Sequence, residues 1–498
     1  MYHLRTTKTS SGASAVQVVR YENRRLIVVQ HIGSAHTVNE LDQLKLYAEN
    51  WISQTTRQQP LFSTHQHIES KLIGLEKCQY LGVQYTFIHE IIYRLMVKFK
   101  FTSCVDKLIL DLVVMRLIEP GSKLQSLELL KRYFGIAHRR QTFYEKLPEY
   151  CDKMTTIKRL ITKFAASEFD FDCSLVFYDV TTLYFESFEA DDLRKPGFSK
   201  DGKSNQPQII VGLMVNSLGF PVGYEIFEGN KFEGHTMIPS IQAFRSQNNV
   251  TTMTVVADAA MISMDNITAL KEHQLSYIVG ARVANLPTEK IREIAAVLKQ
   301  QDGKTMRIQT KHGTLICSFS AKRQRKDQHE MKKQLKKAEF YLKNPAALKR
   351  TRFLKSLDSN RLGINEELKE KAELLCGIKG YYTNLAPIVK DQLIINQYKN
   401  LWHVEQAFRI AKNDLETRPI YHFKKQAISI HLLICFMALA ISKYIEIKTS
   451  KSIRHVIKDF LKITDANILD TVSKKVHTMR VNIPENTRTL LSKLDLPY

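Results

Sequence analysis

Two short apolar runs in this chain each stop on an aspartate: Leu175-Val176-Phe177-Tyr178-Asp179 and Val255-Val256-Ala257-Asp258. Such runs, rich in β-branched and aromatic residues, are the signature of buried strands. An acidic residue directly after a strand projects from the strand end, where open α/β sheets place their sites. Around the two runs, Ser174 to Val180, Gln208 to Val215 and Val222 to Phe227 read as strands, the last two joined as a hairpin through Asn216 to Pro221. A helix over His235 to Phe244, a strand over Met253 to Ala257, a helix over Ser263 to His273 and a strand over Ser276 to Val279 follow. That order predicts an α/β layer with a mixed sheet. Either aspartate alone has a turn or loop-cap explanation, which two of them in one domain weaken.

A third acid comes from the pattern Tyr398 to Leu415, read as one long helix. At about 100° per residue, Leu401, Val404, Ala407, Phe408, Ala411 and Leu415 share a core-facing arc, and Tyr398, Glu405, Arg409 and Lys412 share the next. A metal-binding carboxylate flanked by phosphate-binding cations needs this arrangement, although Glu405 and Arg409 at i,i+4 also suit an ordinary surface pair worth about 0.3 kcal/mol. Three carboxylates suit phosphodiester cleavage. Two Mg²⁺ or Mn²⁺ ions about 4 Å apart neutralise the nucleophile and the leaving oxygen, and hard carboxylate oxygens are the ligands such ions prefer. No Gly-x-Ser-x-Gly and no glycine-rich phosphate loop points to other chemistry.

Charge points to the partner. With 73 Lys and Arg against 50 Asp and Glu, the formal net charge is +23, an excess that favours a polyanion, most commonly nucleic acid; a basic protein that binds nothing acidic has the same balance. Hydrophobic residues at 44% and charged residues at 25% describe an ordinary folded chain. Seven cysteines, odd in number and without a Cys-x-x-Cys pair, read as buried thiols of a reducing cytoplasm. No signal peptide is visible before Ser14, and the apolar stretch Ala427 to Ile441 reads as a core helix too short for a bilayer, so no membrane partner is expected.

At 498 residues the chain calls for several structural units. We expect a small β unit over 1–35, with strands at Ala15 to Val19 and Leu26 to His31, and a helical DNA-binding region over 36–165. A first catalytic part over 166–286, an insertion over 287–378, a second catalytic part over 379–445 and a C-terminal helical region over 446–498 complete the division. In the helical region, Cys104 to Ile118, Leu124 to Phe134 and a segment opening at Thr142, with Arg139 and Arg140 before it, fit a helix-turn-helix-like DNA reader; a helical bundle that binds nothing looks the same. In the insertion, strands at Thr305 to Gln309 and Thr314 to Phe319 suggest a separate sheet. Lys322 to Lys355, with 13 Lys or Arg against 3 Asp or Glu, reads as a basic helical segment, solvated or in contact with DNA.

These residues together resemble the DDE transposases of bacterial insertion sequences, in the large group with a β-rich insertion before the glutamate. Tyr178 to Glu186, Gly197 to Lys203, Gly229-Asn230, Val255 to Asp258 and Arg418-Pro419-Ile420-Tyr421-His422 look like that family's segments. The signature Tyr-x2-Arg-x3-Glu-x6-Lys is matched by Tyr398, Glu405 and Lys412, while Leu401 stands where it has Arg. That departure puts one phosphate contact in doubt, and Arg409 lies close on the same face. The resemblance implies a ribonuclease-H-like core with Asp179, Asp258 and Glu405 as catalytic metal ligands for two Mg²⁺ or Mn²⁺ ions. It implies DNA contacts from Tyr398, Arg409 and Lys412, joined by Arg139 and Arg140 from the helical region. It further implies double-stranded element ends and target DNA as partners, a homodimer on paired ends, and work in the bacterial cytoplasm on the nucleoid. A metal-dependent nuclease on the same fold, and an inactive DNA-binding relic, are the competing readings; the intact acids and Lys412 disfavour the relic.

Overall fold

The computed structural model describes residues 2–10, 12–56, 78–199, 202–203, 205–261, 263–298, 300–344, 351–358, 361–471 and 474–498. The chain divides into two compact units, Met1–Lys77 and Cys78–Tyr498. In the first, β1 (Tyr2–Lys8), β2 (Ser14–Glu22) and β3 (Arg25–Ala35) form an antiparallel sheet against α1 (Val38–Thr56). The β2–β3 turn falls on Asn23 and Arg24, both at positive φ, the backbone that a tight hairpin requires. Val16, Val18 and Ala48 are its buried centre.

The second unit opens with β4 (Cys78–Gln84), then α2 (Thr86–Lys98), α3 (Lys107–Ile118), α4 (Lys123–Phe134), α5 (Arg140–Glu145) and α6 (Leu147–Phe169). Asp106 and Ser122 cap α3 and α4 through their side chains, and Gly135 ends α4 in the left-handed region. Next come β5 (Leu175–Tyr184), β6 (Gln208–Val215), β7 (Pro221–Glu228), α7 (Met237–Asn248), β8 (Thr254–Ala257), α8 (Met264–Glu272) and β9 (Ser276–Ala281). This meander and the two strand–helix units stand close to the elements expected from the sequence.

The insertion differs from expectation. After α9 (Thr288–Leu298), β10 (Thr305–Thr310) and β11 (Gly313–Phe319) do not form a sheet of their own. They extend the central one through β14 (Ile378–Thr383), giving eight strands in the order β10-β11-β14-β9-β8-β5-β6-β7. The basic helix α10 (Ala321–Lys343), a separate hairpin of β12 (Leu354–Asp358) and β13 (Arg361–Ile364), and α11 (Glu366–Leu374) lie between β11 and β14. Lys349 and Arg350 of the basic segment lie outside the described residues. β5 runs parallel to β8, and β8 to β9, whereas β5–β6, β6–β7 and β9–β14 are antiparallel. Three antiparallel strands followed by two parallel to the first is the ribonuclease-H-like arrangement expected of the mixed α/β core.

α12 (Asp391–Lys399), α13 (Trp402–Arg409), α14 (Lys425–Thr449), α15 (Ile453–Phe460), β15 (Asp465–Asp470), β16 (Val476–Arg480) and α16 (Glu485–Lys493) complete the chain, with β15 pairing back onto β4. α14 is long and apolar enough to cross a membrane, but 94% of its apolar window is buried within the protein, where it packs on α3, α6 and β7. Its face is apolar all round because it is surrounded. That packing also revises the helix-turn-helix reading: Leu108 to Leu117 of α3 are all buried, so α3 is a core helix with no face to offer a groove.

Candidate active site

The parallel register of β5 and β8 sets Tyr178 opposite Ala257, so one step further Asp179 and Asp258 stand at adjacent positions, about 5 Å apart at the backbone. Asp179 is half-buried and accepts the amide N–H of Val180 at 2.8 Å, while Asp258, just beyond β8, is exposed. By the two-residue period of a strand, Asp179 faces the same side as Thr181 and Leu183. Those two line a cavity with Phe408, Ala411 and Lys412, so Asp179 faces the arm that carries Glu405.

That arm is not the single helix expected. α12 stops at Lys399, a tight turn spans Asn400 and Leu401, and α13 carries Glu405, followed by a wider π-type turn over Ile410–Asp414, in which Leu415 N–H reaches back five residues to Ile410 O. The apolar arc is present: Leu401, Val404, Ala407, Phe408 and Leu415 are buried. The polar arc is not one line. Tyr398 belongs to α12 and is buried, not exposed to DNA, and its hydroxyl donates to Asp258 Oδ1 at 3.2 Å. The π turn carries Lys412 off the phase computed for an unbroken helix, to a half-buried place. Glu405 and Arg409 are both exposed, and among the described residues no ion pair joins them, so the carboxylate is not committed to a surface pair.

Tyr398 organises the far side of the site. Its ring meets Tyr381 edge-on at 4.9 Å, and Lys379 Nζ stands 4.5 Å from the Tyr398 ring and 5.8 Å from that of Tyr381. Burial, reinforced by the charge of Asp258, holds the Tyr398 hydroxyl protonated far above its ordinary range. Lys379 is pulled below the usual lysine range by burial and by Arg323, against the opposing pull of Asp258 and Glu405. Sequence reading missed Lys379, because its strand, β14, joins the central sheet only through long-range pairing. On neighbouring β9, a Cβ at Gly280 would lie 2.4 Å from the Tyr398 hydroxyl; the glycine leaves the space in which that hydroxyl reaches Asp258.

The other segments singled out in the sequence lie around this core. A Cβ on Gly197 would meet Gly229 O at 2.3 Å, and buried Gln208 donates Nε2 to Phe198 O at 3.0 Å and Gly229 O at 2.9 Å. The Gly197 loop is thus tied to the Gly229 turn across β6; Lys200 and Asp201 lie outside the described residues. Ile420 N–H bonds Tyr184 O at 3.2 Å, returning the segment after the glutamate arm to the end of β5. Arg139 and Arg140 are exposed at the start of α5. Their segment is pinned by the buried Asp111 carboxylate of α3, whose two oxygens meet His89 Nε2 at 2.8 Å and His138 Nε2 at 2.7 Å.

The donor set of Asp179, Asp258 and Glu405 suits a hard divalent cation. Among the described residues, however, no three His, Cys, Asp or Glu side chains are drawn together as a metal-holding group. Asp179 is turned onto the Val180 amide and Asp258 onto Tyr398. Each of those bonds engages one oxygen, Oδ1, of a carboxylate that has two.

A family model described as a transposase DDE domain matches residues 172–441, more than half of the chain. No curated protein matches it. Among solved structures, the cryo-EM structure of a piggyBac transposase synaptic complex with hairpin DNA aligns at 11% identity over 76% of this chain and 77% of that one, with a TM-score of 0.34.

Proposed function

The chain belongs to the transposase DDE family, and from that premise we propose that it binds the double-stranded ends of its own mobile element, cuts DNA phosphodiester bonds and joins the resulting 3′ ends to target DNA. The observation that carries this reading is the adjacency of Asp179, midway along β5 rather than at its end as the sequence suggests, and Asp258, just beyond the end of the parallel strand β8, with Asp179 facing the Glu405 arm.

In this reading Asp179, Asp258 and Glu405 hold two Mg²⁺ or Mn²⁺ ions, which when bound supply charge neutralisation at the attacking and leaving oxygens. Tyr398 holds Asp258 in place through its hydroxyl. Lys379, seated on the rings of Tyr398 and Tyr381, adds a fixed positive charge beside two carboxylates, favourable to an approaching phosphate. Arg409, Lys412 and the solvated basic face of α10 neutralise DNA backbone charge, and Arg139 and Arg140 serve base reading. The chain works as a homodimer on paired ends, in the cytoplasm of a bacterial host. Incubating the full chain with end-containing duplexes and Mg²⁺, and separately with pre-cleaved ends plus target DNA, tests it. Nicking plus joining supports transposition. Nicking without joining leaves a nuclease, and binding without either leaves a relic.

A further inference from the structure

A second site lies away from the acids. A cavity of about 670 Å³ opens where the Pro120–Gly121 turn, the start of α4, the segment Glu416–His422 and α14 meet. Its wall carries Arg116, Lys123, Arg418, His422 and His431, with Glu119 and Glu416 the carboxylates among its lining. Lys123 is only 7% exposed and Arg116 only 5%. Among the described residues neither is ion-paired. Arg116 donates to the carbonyls of Leu415, Glu416 and Gly121; Lys123 Nζ lies 4.7 Å over the ring of Phe143. Glu119 is taken by the Tyr133 hydroxyl at 2.6 Å, and Glu416 is exposed.

Burying an ammonium without a counter-charge is costly, and the neighbouring groups register the excess. Burial and Arg116 bring Lys123 down to about 7. Burial, then Lys123, Arg116 and Arg140, bring His422 down to about 3. His431 is pushed well down by burial and the same two cations, and its Nε2 bonds Thr417 O at 3.0 Å. Both imidazoles are neutral near pH 7, so the positive charge at the wall is that of Arg116 and Arg418, joined by Lys123 to the extent that it is protonated, which an incoming anion favours. The N-terminus of α4, capped by Ser122, adds its dipole.

We propose that this cavity is a phosphate-binding pocket that takes a backbone phosphate of bound DNA, with Lys123 as the cation that meets it. The DNA source is favoured over free phosphate because Tyr421, 54% exposed, offers a ring at the rim of the kind on which a base stacks. In addition, His422 stacks at 5.9 Å on Phe143 of α5, the helix that begins with Arg140. The pocket rests on the DNA-binding half of the proposed function and not on its chemistry.

The test compares the full chain with its Lys123→Met and Lys123→Arg variants. Lys123→Met should weaken binding of a fluorescent end duplex about tenfold, as loss of one charge-assisted contact implies, and should flatten the log–log salt dependence by about 0.9. Its melting temperature should not fall, which separates this loss from misfolding; Lys123→Arg should keep most of the affinity. Inorganic phosphate should raise the melting temperature of the parent chain and not that of Lys123→Met. Unchanged affinity and slope in Lys123→Met overturn the proposal, and phosphate-induced stabilisation with unchanged DNA binding overturns its DNA source. Neither readout involves cleavage, so a chain that binds DNA through Lys123 but never cuts it fails the transposition reading and leaves the pocket standing.

Discussion

The Tyr398 hydroxyl donates to Asp258 Oδ1 at 3.2 Å, joining the helix before the glutamate arm to the second aspartate of the site. A hydrogen bond to a charged group is worth about 1.5–3 kcal/mol. Tyr398→Phe should therefore lower the cleavage rate roughly 10- to 100-fold while end binding stays within about twofold. Measuring nicking and anisotropy on the same duplex checks it; a parallel loss of binding would mean that Tyr398 contacts DNA directly.

Removing one carboxylate charge should separate binding from chemistry. Asp179→Asn, Asp258→Asn and Glu405→Gln should each reduce cleavage by about a thousandfold or more and leave duplex affinity unchanged or slightly increased, because a negative charge near phosphate is lost. A variant among the three that cuts at the parent rate under saturating Mg²⁺ removes its residue from the assignment.

Gly280→Ala places a methyl group 2.4 Å from the Tyr398 hydroxyl and 3.0 Å from its Cζ. Overpacking of this kind costs about 1–3 kcal/mol, so the melting temperature and the cleavage rate should fall together. Combining it with Tyr398→Phe removes the nearest clashing atom. The double variant should recover part of the stability and none of the activity, and a strictly additive melting temperature would show that the two side chains do not meet.

Lys123 makes stability depend on pH in a stated direction. Its folded value is about 7 against 10.5 for an unperturbed lysine, so between those limits the unfolded chain binds a proton that the folded chain does not. Stability should rise with pH across that window, and the full penalty is present below about pH 7. Denaturant melts of the parent and of Lys123→Met at pH 6.5, 8 and 9.5 should show the variant ahead at pH 6.5 and the gap closing upwards. A gap that is flat in pH would refute the uncompensated charge.

Salt dependence reads the basic surface. Affinity for duplex DNA should fall steeply with salt, by about 0.9 in log–log slope per phosphate contacted. Arg409→Ala or Lys412→Ala should flatten the slope by about one contact without changing sequence preference, and Arg139→Ala with Arg140→Ala should change the preferred sequence. The reverse pattern would move base reading to the glutamate arm.

The sequence by itself determined the strands that carry the two aspartates. Runs ending at Asp179 and Asp258 are strands because their residues are apolar in a local pattern, and the buried arc from Leu401 to Leu415 follows from spacing alone; both depend on neighbours in the chain. Tertiary structure decided what local pattern cannot encode. β10 and β11 join the central sheet because β14, some sixty residues further on, supplies the edge that they pair with. The glutamate arm breaks at Asn400 and widens at Ile410, so Tyr398 turns inward to Asp258 while Lys412 leaves the computed face. Lys379 and Gly280 belong to the site only because β14 and β9 pair beside β8. Lys123, which reads as a surface cation at the start of a helix, is buried because Phe143, His422 and α14 close over it. Burial and cross-strand register come from contacts between residues far apart in the chain, and those contacts set which side chains share a site.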